Sequence, residues 1–354
     1  MFLRDLSTTI LAFTALPALA LQSQVTPATA PFTVAYKSQS LSIPEYNTKV
    51  PVACWFPLSD TKEDFTPTKP TYEHRISVRK IGQMLAQWNI PRFFASDYML
   101  QPTGNYVVDG SALSYPCQKM PIILLAHGYL GSRFDLSHLA EVLASRGFVC
   151  VAAEYPESLA SSYDPVPGLD RKVITDALLE ALQKDWNIRA SAYGIIGHSL
   201  GCGTAIQTGD DSWARVFISG FTRQRDGSPL KGNYLLVTSM GDGLANRFLS
   251  SPNAIPSDVI RLPEGTIMNQ PIPKRAAIVY DRPDAPNHIS FLTESTNDVM
   301  IEYLSPLLPV ARLFNIPVLD FDRYQVSRDS KVTADVYHPL IVKYMEQEML
   351  GRRA

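Results

Sequence analysis

The chain has 354 residues, 45% of them hydrophobic and 19% charged, which separates it from disordered and collagen-like polymers and allows one large globular domain or two modest ones. Lys and Arg number 32 against 34 Asp and Glu, a formal net charge of -2 without the basic excess that phosphate contacts demand, so no nucleic-acid partner is expected. Its 27 prolines argue against an all-helical bundle or a coiled coil.

At the start, Arg4 precedes an apolar run from Ile10 to Leu19, with small residues at Ala18 and Ala20. That run is short for a bilayer span and reads as a signal peptide over residues 1–20, cut after Ala20. Residues 21–44 hold no acidic side chain and many Ser and Thr, the pattern of a leader or a transit segment, although a polar stretch before the first strand fits equally. The expected destinations are the secretory pathway and then either a plastid or the outside of the cell. Residues 45–354 show no fixed repeat and no long linker, so a single domain is expected.

Phe32 to Pro57 alternates in character and suits antiparallel strands at the beginning of a sheet. Two segments are candidate insertions near a pocket: Asp60 to Tyr115, with a short helical pattern at Ile81 to Trp88, and Leu249 to Pro273. Between them strands and helices alternate. Pro121 to Ala126 is a continuous apolar strand, and Leu136, Leu139, Ala140 and Leu143 recur at helical spacing until Gly147. Phe148 to Ala153 is a second strand, followed by a helix through Val173, Ile174, Ala177, Leu178, Ala181 and Leu182. Further strands are expected at Tyr193 to Gly197, Ala214 to Ser219, Tyr234 to Thr238 and Ala276 to Tyr280, with a helix starting at Leu200. This order predicts an α/β fold with a mostly parallel central sheet and helices on both faces, its reactive loops at the carboxyl ends of the strands.

Of four cysteines, Cys150 and Cys202 lie in apolar or motif positions and should be buried thiols, while Cys54 and Cys117 are available to pair in an oxidising compartment. Their spacing offers no metal site.

Gly197-His198-Ser199-Leu200-Gly201 follows a strand and precedes a small-residue helix, which is the context a G-x-S-x-G nucleophile turn requires. A serine needs an imidazole to take its proton, and the imidazole needs an acid to fix its tautomer. His288, on a loop after the last strand, is the candidate base, with His338 in reserve. Asp242, in the turn after Tyr234 to Thr238, is the candidate acid in the chain order Ser, Asp, His; Asp226, Asp281 and Asp284 are its rivals. The oxyanion donors are expected to be the backbone amides of Leu200 and of Tyr129, in the turn His127-Gly128-Tyr129-Leu130-Gly131.

The stretch from His127 to Arg133, the LSHLAEVLASRGFVCVAAEYP that follows, and GHSLG resemble the α/β-hydrolase serine esterases. Similarity is greatest to the chlorophyllases and the platelet-activating-factor acetylhydrolase-like enzymes, with dienelactone hydrolases and cutinase-like polyesterases further off. The resemblance implies the α/β-hydrolase fold and a triad of Ser199, Asp242 and His288, with Tyr129 and Leu200 at the oxyanion positions. It also implies carboxylic-ester hydrolysis with no cofactor and no metal. HGYL is similar to the plant chlorophyllases, although this chain has Leu200 and Cys202 where they read Arg and Gly. A small-molecule ester with an apolar portion is the expected substrate: chlorophyll's phytyl ester, or a lipid or short-acyl ester. The expected lining of its cleft is Trp88, Phe93, Phe94, Tyr98, Met99 and Leu100. Peripheral contact with membranes is compatible with such a substrate. Acyl transfer to an alcohol or peroxide, and a non-catalytic binding role on the same fold, are the competing classes.

Overall fold

The structure, a computed structural model, describes residues 32–58, 72, 74–86, 97–100, 107–222, 228–249, 255–265, 270–299, 301, 309 and 327–351. The expected signal peptide, the leader up to residue 31, Asp226, Trp88, Phe93 and Phe94 lie outside the described residues, as do the side chains of His74, Tyr98, Met99 and Leu100. Among the described residues no helix is long and apolar enough to cross a membrane.

Ten strands form one sheet. Along it lie β1 (Val34–Ile43), β2 (Thr48–Pro57), β5 (Val107–Asp109), β6 (Met120–Ala126), β7 (Val149–Ala153), β8 (Ala190–His198), β9 (Ala214–Ile218), β10 (Tyr234–Ser239), β11 (Ile260–Leu262) and β12 (Arg275–Tyr280). A separate hairpin pairs β3 (His74–Ser77) with β4 (Asp97–Leu100). The spatial order is β11-β12-β10-β9-β8-β6-β7-β2-β1-β5. Only the pairings of β2 with β1 and β7 are antiparallel; from β7 to β11 every neighbour is parallel. A parallel sheet is covered on both faces, and β6, buried along its whole length, is accordingly the uninterrupted apolar run MPIILLA.

One face packs on α2 (Ser137–Ser145) and the C-terminal helix α7 (Ser330–Leu350), through Leu139, Leu143, Tyr337, Ile341 and Met345. The other packs on α3 (Arg171–Lys184) and α4 (Gly201–Gln207), through Ile174, Leu178, Cys202 and Ala205. Shorter helices α1 (Val78–Ala86), α5 (Gly243–Leu249) and α6 (Glu294–Val299) sit in the connections.

Three expectations need correction. Residues 34–43 belong to the sheet as β1, so the folded body begins before residue 45; the alternation of Phe32 to Pro57 gives the strand, and its Ser residues read as leader composition only when hydroxyl side chains are counted alone. Leu249 to Pro273 is not wholly an excursion, because β11 within it extends the sheet beside β12. Cys54 and Cys117 are not bonded: Cys54 is buried on β2, Cys117 is exposed, and all four cysteines are free. Burial pushes the Cys54 thiol up to about 12.

Beneath the loop after β6, Arg133 Nη1 donates to Glu154 Oε1 at 2.5 Å, and Glu154 also receives the Ser158 hydroxyl at 2.6 Å. Glu154 is 0% exposed and Arg133 7%. Removing one partner of such a pair strands a charge in low dielectric. Arg133→Met is therefore expected to lower the unfolding free energy by about 3–5 kcal/mol, read by urea titration at pH 7; a shift within about 0.5 kcal/mol would show that water already reaches Glu154. A pH effect comes from α7. His338 packs its ring 4.6 Å from His138, and burial followed by His138 holds its pKa well below the usual histidine range. Because the unfolded chain takes up a proton near pH 6.5 that the folded chain refuses, this stability is present above that pH and lost below it. Urea unfolding compared at pH 7.5 and pH 5 is expected to show a pH dependence about 2 kcal/mol smaller in His338→Phe than in the parent chain.

Candidate active site

The Gly197-His198-Ser199-Leu200-Gly201 turn joins β8 to α4. Ser199 sits there at φ 54°, a left-handed backbone that a non-glycine residue adopts only under constraint. The constraint is local bonding: Ser199 N–H donates to the Ile218 carbonyl on β9, and the Ser199 carbonyl accepts from Cys202 N–H. Gly201 is required by packing, because a Cβ there would lie 2.0 Å from the Ala126 carbonyl oxygen at the end of β6. Cys202 packs behind the turn, as expected, its thiol donating to the Gly197 carbonyl at 3.2 Å, and burial pushes it up to about 12. A thiol so placed is no nucleophile.

Asp242 and His288 meet across 46 residues of sequence, with Asp242 Oδ2 2.7 Å from His288 Nδ1. The other oxygen of Asp242 accepts from the N–H groups of Leu244 and Ala245, so the carboxylate also caps the start of α5. Asp242 is 0% exposed. Burial works to raise its pKa, but the His288 charge and hydrogen bond and the Ala245 amide outweigh it and hold the carboxyl below the usual range. An ionised Asp242 fixes the proton of neutral His288 on Nδ1 and leaves Nε2 free to accept.

The loop carrying His288 is held at several points. Asn287 Oδ1 accepts from the N–H groups of Ile289 and Ser290, Asn297 Nδ2 donates to the Ile289 carbonyl, and the Tyr337 hydroxyl donates to the Phe291 carbonyl. Thr293 N–H donates to the Asp135 carbonyl, tying this loop to the one after β6. His198 closes the arrangement. Its Nε2 donates to the His288 carbonyl at 3.0 Å and the two rings lie 4.8 Å apart, which brings Ser199, the next residue, to the same end of the sheet.

Tyr129 follows β6. A Cβ on Gly128 would lie 3.0 Å from Ser199 Cβ, so this glycine lets the turn approach Ser199. Among the described residues neither Tyr129 N–H nor Leu200 N–H donates to a backbone carbonyl. Both amides are thus available beside Ser199, as an oxyanion site requires.

The other histidines and acids fall elsewhere. His127 accepts the Tyr155 N–H on Nε2, and His138 and His338 pack between α2 and α7. Asp281 and Asp284 are exposed, and Asp284 is bound by Arg328. Asn287 and Asn297 carry no motif in the sequence, although the Asn287-x-x-Ser290 turn is a local signal for the first; Asn297 reaches Ile289 from eight residues on. Among the described residues no group of three His, Cys, Asp or Glu side chains is placed to hold a metal ion.

Residues 19–164 match the family described as platelet-activating factor acetylhydrolase, isoform II, a segment that includes the Tyr129 turn and stops short of Ser199. No curated protein matches the chain. Among solved structures the chain is similar to a ferulic acid esterase from Streptomyces cinnamoneus, at 16% identity over 93% of this chain and 94% of that one, with a TM-score of 0.49. It is also similar to a cold-adapted esterase from an Arctic intertidal metagenomic library, at 12% identity over 76% and 93% of the two chains (TM-score 0.39). A third is XC6422 from Xanthomonas campestris, an α/β serine hydrolase without a lid, at 12% identity over 80% and 96% (TM-score 0.38). With its sheet order, its single antiparallel strand inside a parallel sheet and its left-handed serine at the β8–α4 turn, the chain has the α/β-hydrolase fold and resembles the platelet-activating factor acetylhydrolase group.

Proposed function

We propose that the chain is a serine carboxylic-ester hydrolase in which Ser199, His288 and Asp242 form the triad. The observation that carries this reading is the 2.7 Å contact of buried Asp242 with His288, on a loop bonded to the residue next to Ser199. Ser199 Oγ attacks the ester carbonyl carbon while its proton passes to His288 Nε2. The carbonyl oxygen takes the displaced electron pair and is met by the amides of Tyr129 and Leu200. Collapse breaks the bond to the alcohol oxygen, which leaves with the proton from His288. Water then enters by the same route and releases the acid from Ser199. Asp242 stays ionised and stabilises the imidazolium in both halves.

The substrate side of the reading rests on the rim. Tyr129, Leu200, Phe221, Met240 and Leu244 are all more than a third exposed, and they follow the carboxyl ends of β6, β8, β9 and β10, around the serine. Large apolar side chains facing water at one end of a sheet favour an ester with an apolar portion. The partial family match favours a lipid acetyl ester such as platelet-activating factor; the HGYL turn favours the phytyl ester of chlorophyll as a second reading.

Three esters decide among these: p-nitrophenyl acetate, platelet-activating factor and chlorophyll a, each with parent chain and Ser199→Ala. The parent chain is expected to hydrolyse p-nitrophenyl acetate and to release acetate from the phospholipid, and Ser199→Ala to lose at least about 10⁴-fold in kcat. Chlorophyllide formation at a Ser199-dependent rate would move the substrate to the pigment ester. Full activity in Ser199→Ala, or no hydrolysis of any of the three, would remove the reading. Asp242→Asn is expected to keep the fold and lose about 10⁴-fold in kcat, since a carboxamide can hold the imidazole in the wrong tautomer.

A further inference from the structure

Arg171, the first residue of α3, reaches three elements that the ester-hydrolase reading brings into one reaction. Its Nη1 donates to the His127 carbonyl at 2.9 Å and to Thr204 Oγ1 on α4 at 3.3 Å; its Nη2 donates to the Gly128 carbonyl at 3.3 Å. Nε donates to Glu157 Oε2 at 3.0 Å, and the guanidinium lies 4.5 Å over the Tyr155 ring, so the fork itself is fixed in place. Its side chain is 12% exposed.

The Gly128 carbonyl belongs to the same peptide group as the Tyr129 N–H. A trans peptide is planar, with C=O and N–H on opposite sides, so the bonds made to that oxygen set the direction in which the N–H points. Two donors hold it. Besides Arg171, His127 Nδ1 lies 2.8 Å from the Gly128 oxygen, and since His127 Nε2 accepts the Tyr155 N–H, the proton of the neutral ring is on Nδ1 and is donated to Gly128. Donors on the oxygen also polarise the amide and strengthen its N–H as a donor in turn. The bond to Thr204 ties the same guanidinium to the helix that begins next to Leu200, the second amide.

We propose that Arg171 is a positioning residue for the oxyanion site, aiming and polarising the Tyr129 amide through the Gly128 carbonyl and keeping it in register with α4. The proposal rests on the ester-hydrolase reading above. It predicts a loss confined to the charged tetrahedral species, because the neutral ester in the ground state demands little of that amide.

Arg171→Met and Arg171→Lys, made in the full chain, are assayed with p-nitrophenyl acetate, and the inhibition constant of an alkyl trifluoromethyl ketone, which forms a tetrahedral oxyanion adduct with a serine, is measured for each. Losing one oxyanion donor outright costs about 10²–10³ in kcat, so misdirecting one is expected to cost Arg171→Met roughly ten- to a hundredfold in kcat at a KM within about twofold. The ketone should weaken by the same factor. Arg171→Lys, whose ammonium offers no planar fork, should fall between the two, and it carries the test if Arg171→Met does not fold. A folded variant with kcat and ketone affinity within about twofold of the parent would overturn the proposal, as would a kcat loss with ketone affinity unchanged. Those results leave the ester-hydrolase reading standing when Ser199→Ala is inactive; activity in Ser199→Ala removes that reading instead.

Discussion

The site depends on how closely two strand ends approach one another. A side chain at position 201 would collide with the Ala126 carbonyl at 2.0 Å, and one at position 128 would press on Ser199 Cβ at 3.0 Å. With both positions left as glycine, the turn after β6 settles against the turn after β8, and the amides of Tyr129 and Leu200 come beside one serine. Neither strand alone could assemble this. The parallel pairing of β6 with β8, from Met120 opposite Ala190 to Ala126 opposite Gly197, sets the register from which both turns emerge. Ser199 then takes a left-handed backbone because the bonds to Ile218 and Cys202 outweigh its intrinsic cost of about 1–3 kcal/mol.

Polar groups behind this contact do two kinds of work. Arg133 with Glu154, and His127 with Tyr155, keep the loop after β6 in place from below, where an unpaired partner would be costly. Asp242 is different, because its buried carboxylate must remain ionised to be useful. Two amides at the start of α5 satisfy one oxygen and His288 satisfies the other, so the group that orients the imidazole is itself oriented by a helix terminus. Raising the hydrophobicity around Asp242 would therefore act on the chemistry as well as on the fold.

The sequence displays what local periodicity encodes. Runs such as PIILLA and FVCVAA are strands buried on both faces, and GHSLG between a strand and a small-residue helix marks the turn. The position of Asp242 followed from chain order, although only the contact with His288 separates it from Asp281 and Asp284. Long-range features were hidden. The helix α7 contains Pro339 and buries Thr333 and His338 beside Tyr337, Ile341 and Met345, so a helix breaker and polar residues interrupt its apolar stripe. Residues 32–44 allow both an alternating strand and a leader, and the pairing of β1 with β2 decides for the strand. Arg171 reads as a helix start after its Asp170 cap, and nothing near it in sequence points 43 residues back to Gly128.

The division between rim and floor bears on how specificity could change without loss of chemistry. Phe221 and Met240 follow β9 and β10, whereas the amides and the serine belong to turns after β6 and β8. Phe221 and Met240 thus stand on other strand ends than the two amides of the proposed oxyanion site. On the proposed reading, substitution at Phe221 or Met240 alters what an acyl or alkyl chain touches, yet the register of β6 with β8 that aligns Tyr129 and Leu200 is set elsewhere. Tyr129 and Leu200 are the exceptions. Their side chains stand on the rim while, on the proposed reading, their amides serve the floor, so a change at either couples substrate contact to the geometry of its turn.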